Sequence, residues 1–174
     1  MARLAARLGT LALLAALLAL ASRAQDPAGA EAAAQAYSDA FAAGNWEAAA
    51  ALTDPRDLAR FSEFVGVFAE MAGDELGDTT ALGNADTPEA AFAAFMDVAI
   101  SANPMMGDLM ASVQTEILGS VAEADTLVHV VTRTGFSMFG SDVSGLEVVT
   151  ARWDGARWVV KLNEQMEGMI AAME

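Results

Sequence analysis

The chain has 174 residues, none of them cysteine and only one of them histidine. Without thiols there can be no disulfides, no thiolate metal sites and no lipid-modified cysteine. A single imidazole, His129, with no second histidine or thiol cannot build the usual transition-metal centre, so no metal and no cofactor are expected. Basic residues are scarce: nine Lys and Arg stand against 24 Asp and Glu, a formal charge of −15. Such a field repels phosphate backbones and anionic lipid surfaces, so neither nucleic acid nor a membrane surface is an expected partner. There is no glycine-rich phosphate loop, nucleophile elbow or zinc-binding helix motif, which argues against nucleotide chemistry and hydrolysis.

Long apolar runs are also lacking, with one exception near the amino terminus. MARLAARLGTLALLAALLALASRAQDP places Arg3 and Arg7 before an apolar stretch from about Leu8 to Ala21, followed by small residues. The stretch is short for a membrane span and has the layout of a secretory signal peptide, expected over residues 1–24. Cleavage is compatible with Ala21 or Ala24. Arg3, Arg7 and Arg23 fall in this segment, so six basic residues would remain against 24 acidic ones, a formal charge of −18. Residues 25–174 are then expected to form one exported domain, periplasmic or extracellular, with no stable membrane association after cleavage.

From Ala30, AEAAAQAYSDAFAAGNWEAAAALTDP reads as two helices. Tyr37 and Phe41 share a face, Gly44 ends the first helix and Asn45 caps the second. Asp54-Pro55 opens a third helix carrying Leu58, Phe61, Phe64, Val65, Phe68 and Met71 along one stripe. Gly73 to Asp86 reads as a polar loop, Thr87-Pro88-Glu89 starts a fourth helix to about Ala102, and Asn103-Pro104 ends it. After Ser112 the period becomes alternating: Val113, Thr115, Ile117, Gly119 and Val121 alternate with polar or bulky neighbours. A turn at Glu123-Ala124 leads into a strand from Thr126 to Thr134.

Leu146–Trp153 and Ala156–Asn163 form the clearest hairpin, because Asp154-Gly155 accepts the positive φ angles of a two-residue turn. That turn predicts Trp153 opposite Ala156, Ala151 opposite Trp158, Val149 opposite Val160 and Glu147 opposite Leu162. The face with Trp153, Ala151, Val149, Trp158, Val160 and Leu162 is expected inward, with Glu147 at its margin; Arg152, Arg157 and Lys161 are expected on the opposite face, towards solvent or a partner. NEQMEGMIAAME returns to helical spacing. Helices first and an antiparallel sheet after them make the expected class α+β.

Ala36-Tyr37, Ala40-Phe41, Gly44-Asn45-Trp46-Glu47, Leu52 and Pro55, then Gly119, Glu123, Asp125-Thr126 and the closing WDGARWVV, resemble the nuclear transport factor 2-like superfamily over most of residues 30–163. The resemblance implies amino-terminal helices packed on a curved antiparallel sheet as a cone, with an apolar pocket between them. It also implies either simple binding or isomerase and dehydratase chemistry, and a homodimer through the sheet as a partner mode. The chain departs from the family in having only the Gly73–Asp86 loop where a short strand often stands, and in its Met-rich carboxy-terminal helix.

Ketosteroid-type isomerisation needs a carboxylate base in an apolar pocket and a hydroxyl to hold the developing enolate. Glu147 as base and Tyr37, the only tyrosine, as donor are the candidates; an amphipathic core tyrosine and a rim glutamate explain the same residues without catalysis. Asp54 and Asp57 read as helix caps. His129 shares a strand face with Leu127, Val131 and Arg133. A two- or four-residue turn before it puts Val128 and Val130 with Ile117; a three-residue turn brings His129 inward instead, where Arg133 would approach Glu147. Met166, Met169 and Met173, and Met105, Met106 and Met110, suit Cu(I) in principle but are explained by flexible packing. The expected ligand-binding wall is Tyr37, Phe61, Glu147, Val149, Trp158 and Val160. The function this favours is a binding or accessory module for a small apolar ligand. The alternatives are an isomerase or dehydratase using Glu147 or His129 with Tyr37, and a dimeric interaction domain without a ligand.

Overall fold

The computed structural model describes residues 26–72, 80–138 and 140–172. The expected leader, residues 73–79 of the polar loop and Met173 of the methionine series lie outside them.

Helix α1 (Pro27–Ala42) begins where Asp26 Oδ1 accepts the Ala28 N–H at 3.1 Å and Pro27 supplies a preset φ. It ends at Gly44, whose φ of 65° lies in the left-handed region that side chains disfavour. Asn45 then caps α2 (Trp46–Leu52) through the Ala48 N–H at 3.1 Å. Helix α3 (Pro55–Ala72) starts after Asp54, whose Oδ1 accepts the Arg56 N–H at 2.9 Å. A short helix, α4 (Thr80–Gly83), occupies part of the stretch expected to be loop. Thr87 caps α5 (Pro88–Ala102) through the Ala90 N–H at 3.1 Å.

Asn103-Pro104 does end α5, but Pro104 also opens a further helix, α6 (Pro104–Ala111), that the sequence reading missed. Proline is tolerated at a first helical position because its missing N–H would be unpaired there anyway, so the same residue both stops and starts. The last helix, α7 (Glu164–Ala171), is capped by Asn163 Oδ1 accepting the Met166 N–H at 2.9 Å.

Four strands follow one another in a purely antiparallel sheet of order β1-β2-β3-β4: β1 (Gln114–Ala124), β2 (Leu127–Met138), β3 (Ser141–Trp153) and β4 (Trp158–Val160). The domain is therefore α+β, helices before sheet, and the sheet is open. The β1–β2 turn is two residues, Asp125-Thr126, two positions later than the Glu123-Ala124 turn expected, with Ala124 opposite Leu127. Strand β1 is bulged between Ile117 and Gly119, where Gly119 takes a φ of 150°. The simple alternation read through Gly119 and Val121 is corrected by this bulge: Ile117 and Ser120 both face α1's side of the sheet, and Val121 is exposed.

The closing hairpin corrects a second expectation. Trp153 pairs with Trp158, Arg152 with Val159 and Ala151 with Val160, so Asp154 to Arg157 form a four-residue loop. Asp154 Oδ1 accepts both the Ala156 and Arg157 N–H groups, at 2.8 and 2.9 Å, and thereby takes up the turn's free donors. The slip is two residues. Because side chains alternate with period two, the inward set survives it, whereas Glu147 loses its expected partner Leu162 and lies opposite Thr132 alone.

The core has two parts. One lies among the helices, where Phe61, Phe92 and Leu58 are fully buried and Phe61 meets Phe92 and Phe95 at 5.4 and 5.2 Å between ring centroids. The other lies where α1 crosses the sheet: Ala30 and Ala34 press on Val128, Val130, Ala151 and Trp158. Small residues on α1 permit this close approach. A Cβ added at Gly29 would come within 2.8 Å of the Trp158 ring. Among the described residues no helix is long and apolar enough to cross a membrane.

Candidate functional site

Strand β4 covers only one end of β3, and beyond it the inner sheet face is left open. A groove of about 870 Å³ occupies this region. Its walls are the second half of α1 (Tyr37, Ser38, Phe41), the inner face of β2 (Thr132, Thr134), β3 from Glu147 to Thr150, and the chain from Val160 into α7.

Four of the six residues expected to line a pocket do line this groove: Tyr37, Glu147, Val149 and Val160. Phe61 sits in the helical core at 1% exposure, and Trp158 is buried at the α1–sheet contact; neither borders the groove. Tyr37 packs on Phe41 with ring centroids 5.3 Å apart, and burial pushes its hydroxyl pKa above the ordinary tyrosine value. Glu147 is exposed at the rim, where its Oε2 accepts the Thr134 hydroxyl at 3.1 Å. No hydrogen bond links Tyr37 to Glu147 among the described residues.

Val128, Val130 and Thr132 lie on the helix side with Ile117, the outcome expected of a two-residue turn, because the two one-residue register shifts in β1, between Ile117 and Gly119 and between Ala122 and Ala124, cancel in parity. His129 and Arg133 therefore lie on the outer face. His129 Nε2 meets Glu123 Oε2 at 2.6 Å and Nδ1 meets Thr150 Oγ1 at 3.1 Å, so the ring touches the groove only at its outer lip. Arg133 pairs with exposed Glu116 at 2.7 Å and does not approach Glu147.

Asp54 and Asp57 do more than cap. Asp54, 1% exposed, forms an ion pair with Arg152 Nε, and its own N–H donates to the Val160 carbonyl at 2.8 Å. Burial alone would raise its pKa, but hydrogen bonds from Arg152 and the Arg56 N–H, with both guanidinium charges, hold it below the ordinary carboxylate value. Asp57 Oδ2 accepts the Leu162 N–H at 3.1 Å. Here burial, with the nearby charges of Asp54 and Glu167, outweighs that bond and Lys161, and pushes the carboxyl above its ordinary value. Arg152 was expected to face solvent or a partner; it does lie on the outer face, but it is partly buried and tied to Asp54.

Thr132, 0% exposed at the groove floor, escaped the sequence reading although its period-two spacing from Val128 and Val130 was a sufficient signal. The Asp54–Arg152 pair had no such signal, since its members are 98 residues apart. Among the described residues no group of three His, Asp or Glu side chains is disposed to hold a metal ion. The groove can enclose an apolar body of moderate size and offer it a few hydroxyls, with Glu147, Glu164, Glu167 and Lys161 as charged groups on its walls. No known protein-family model matches the chain, and no curated protein matches it.

Proposed function

We propose that the chain is an exported binding or accessory domain of the nuclear transport factor 2-like type, which receives a small, mostly apolar molecule in the groove beside Tyr37. The observation that carries this reading is the composition of the groove wall. Phe41, Val149, Val160 and Leu162 supply apolar surface, Thr132, Thr134, Tyr37 and Glu147 supply orienting polar groups, and the chain leading into α7 adds Lys161, Glu164 and Glu167. A cone-shaped domain with a pocket belongs to the same reading, supported by the order of helices before an antiparallel meander and by the Tyr37–Phe41 face of α1. Export rests on the arginines and apolar run of residues 1–24.

The test is calorimetry and thermal shift of the purified protein against a panel of apolar small molecules. A binder is expected to raise the unfolding temperature, and Val149→Trp, which fills the groove, is expected to abolish the shift. A panel without a single binder, or a shift that Val149→Trp leaves intact, ends the proposal. For export, the mature protein's amino terminus should fall after Ala21 or Ala24; an intact terminus on exported material would rule out cleavage.

One observation favours a second, enzymatic reading: Tyr37 and Glu147 border the same groove. A tyrosine whose pKa is raised by burial stays protonated and able to donate to a substrate oxygen. Under that reading Glu147→Gln must lower turnover by roughly tenfold or more, since general-base catalysis contributes on the order of 10²–10⁴-fold. Unchanged turnover leaves binding alone.

A further inference from the structure

Strand β3 is thirteen residues long and β4 is three, so most of β3 is a sheet edge. The last bond across to the β4 side is the Lys161 N–H donating to the Thr150 carbonyl at 2.8 Å. Asn163 then turns the chain into α7. By the two-residue period of a strand, the N–H and C=O groups of Val148, Leu146, Ser144 and Asp142 point the same way as those of Thr150. Among the described residues they have no partner. The β2–β3 register runs without a shift from Leu127–Arg152 to Met138–Ser141, so this edge is not broken by a bulge. It also carries no proline and no lysine, the commonest devices that blunt an edge.

The two faces beside this edge differ in chemistry. On the outer face, Leu146 and Val148 are 69% and 62% exposed. On the inner face, Glu147 stands at the groove rim, with Glu164 and Glu167 across the groove. Lys161 is already engaged by Glu167 at 3.3 Å. A second copy of the chain would bring its own Asp142 and Glu147 to this edge, on a body of formal charge −15, and would be repelled. A cationic strand meets no such obstacle.

We propose that the open edge of β3 from Asp142 to Val148 accepts, as a fifth strand, an extended polypeptide segment in which apolar and basic residues alternate. Main-chain hydrogen bonds to Val148, Leu146, Ser144 and Asp142 supply the affinity. Alternate side chains supply the selectivity: apolar ones lie over Leu146 and Val148, and Lys or Arg on the other side reach Glu147, Glu164 and Glu167. The site does not depend on a small molecule in the groove and stands if that reading fails.

The probe is a synthetic peptide of alternating valine and lysine, titrated into the full-length protein by fluorescence anisotropy. Three controls accompany it: valine alternating with glutamate, the same valines and lysines in two blocks, and the original peptide N-methylated at every residue. The alternating Val-Lys peptide is expected to bind most tightly and to weaken as salt is raised. The N-methylated peptide keeps the charge but has no backbone donor on either edge, and should bind roughly tenfold more weakly or worse. Amide exchange should show new protection at Ser144, Leu146 and Val148. Leu146→Pro, which removes an edge-facing donor without touching a bond to β2, should weaken binding to a similar extent. Equal binding of the block or N-methylated peptide, or an absence of new protection at those amides, overturns the proposal. So does a sedimentation experiment showing a dimer that protects the same amides without peptide.

Discussion

The two ends of the sheet are built from the same strands and behave as different materials. At the end beside β4, Val128, Val130, Ala151, Val159 and Val160 are at most 1% exposed, α1 presses on one face, and Asp54 clasps Arg152 on the other. At the far end, every described residue of β3 from Ser141 to Val148 is exposed. Burial, and with it the hydrophobic contribution to stability, is concentrated in one half. The other half keeps its shape by backbone pairing to β2 and is left free to meet something else.

The largest effect that would break this contrast is expected from Asp54→Ala. It removes a helix cap and leaves Arg152, mostly out of solvent, without its partner, at a cost of about 3 kcal/mol in urea unfolding. A glycine pair gives the next effect and has opposite signs. Gly29→Ala forces a methyl group against the Trp158 ring and should cost roughly 1–2 kcal/mol despite alanine's better helix propensity. Gly66→Ala, on exposed α3 with nothing within 4 Å of the new atom, should gain roughly 0.5–1 kcal/mol.

A smaller effect separates the two buried carboxylates by pH. The pKa of Asp54 is lowered by folding, so its contribution is present above the unfolded value and is lost as pH falls through the folded one. Asp57 is raised, so its contribution is present below the unfolded value and is lost as pH rises through the folded one. Across a pH series from acid to neutral, Asp54→Asn should therefore lose stability relative to the parent as pH rises. Asp57→Asn, whose amide oxygen can still accept the Leu162 N–H, should gain it. Parallel slopes would contradict the assignment. The smallest effect belongs to the open half: Leu146→Ser and Val148→Thr should each stay within about 0.5 kcal/mol of the parent, because both positions already face water.

What was legible in the sequence follows from the range over which each signal acts. Helix starts at Asn45, Asp54 and Thr87 depend on residues two or three apart, and their caps stand where the pattern placed them, whereas the first helix, read from Ala30, begins three residues earlier behind an Asp26 cap. The inward faces of β2 and β3 depend on parity, which a slip of two residues leaves unchanged; this is why Val149 and Val160 share the groove although they are not partners. Register itself depends on the turn. Asp154-Gly155 resembles a two-residue turn, but the Asp154 carboxylate collects two further N–H groups and lengthens it. Residues 135–137 and 140–145 show no burial alternation because most of them face water, so the distal part of the β2–β3 hairpin left little trace in the hydrophobic pattern. A rim position for Glu147 was already one reading of the sequence, at the margin of the inward face; its acceptance of the Thr134 hydroxyl was beyond local signals.

The bond from the Leu162 N–H to Asp57 spans 105 residues, and the pair of Arg152 with Asp54 spans 98. Both tie the beginning of α3 to the last strands of the chain. A growing chain therefore cannot tie the start of α3 to Arg152 and Leu162 until nearly all of it is available, and loop closure of this length slows the step. Until then the Leu58, Phe61 and Phe64 stripe has only other helices to cover it. A premature stop before Arg152 would thus cost far more than the missing strand: it would release a helix whose anchors at Asp54 and Asp57 find their partners at the opposite end of the chain.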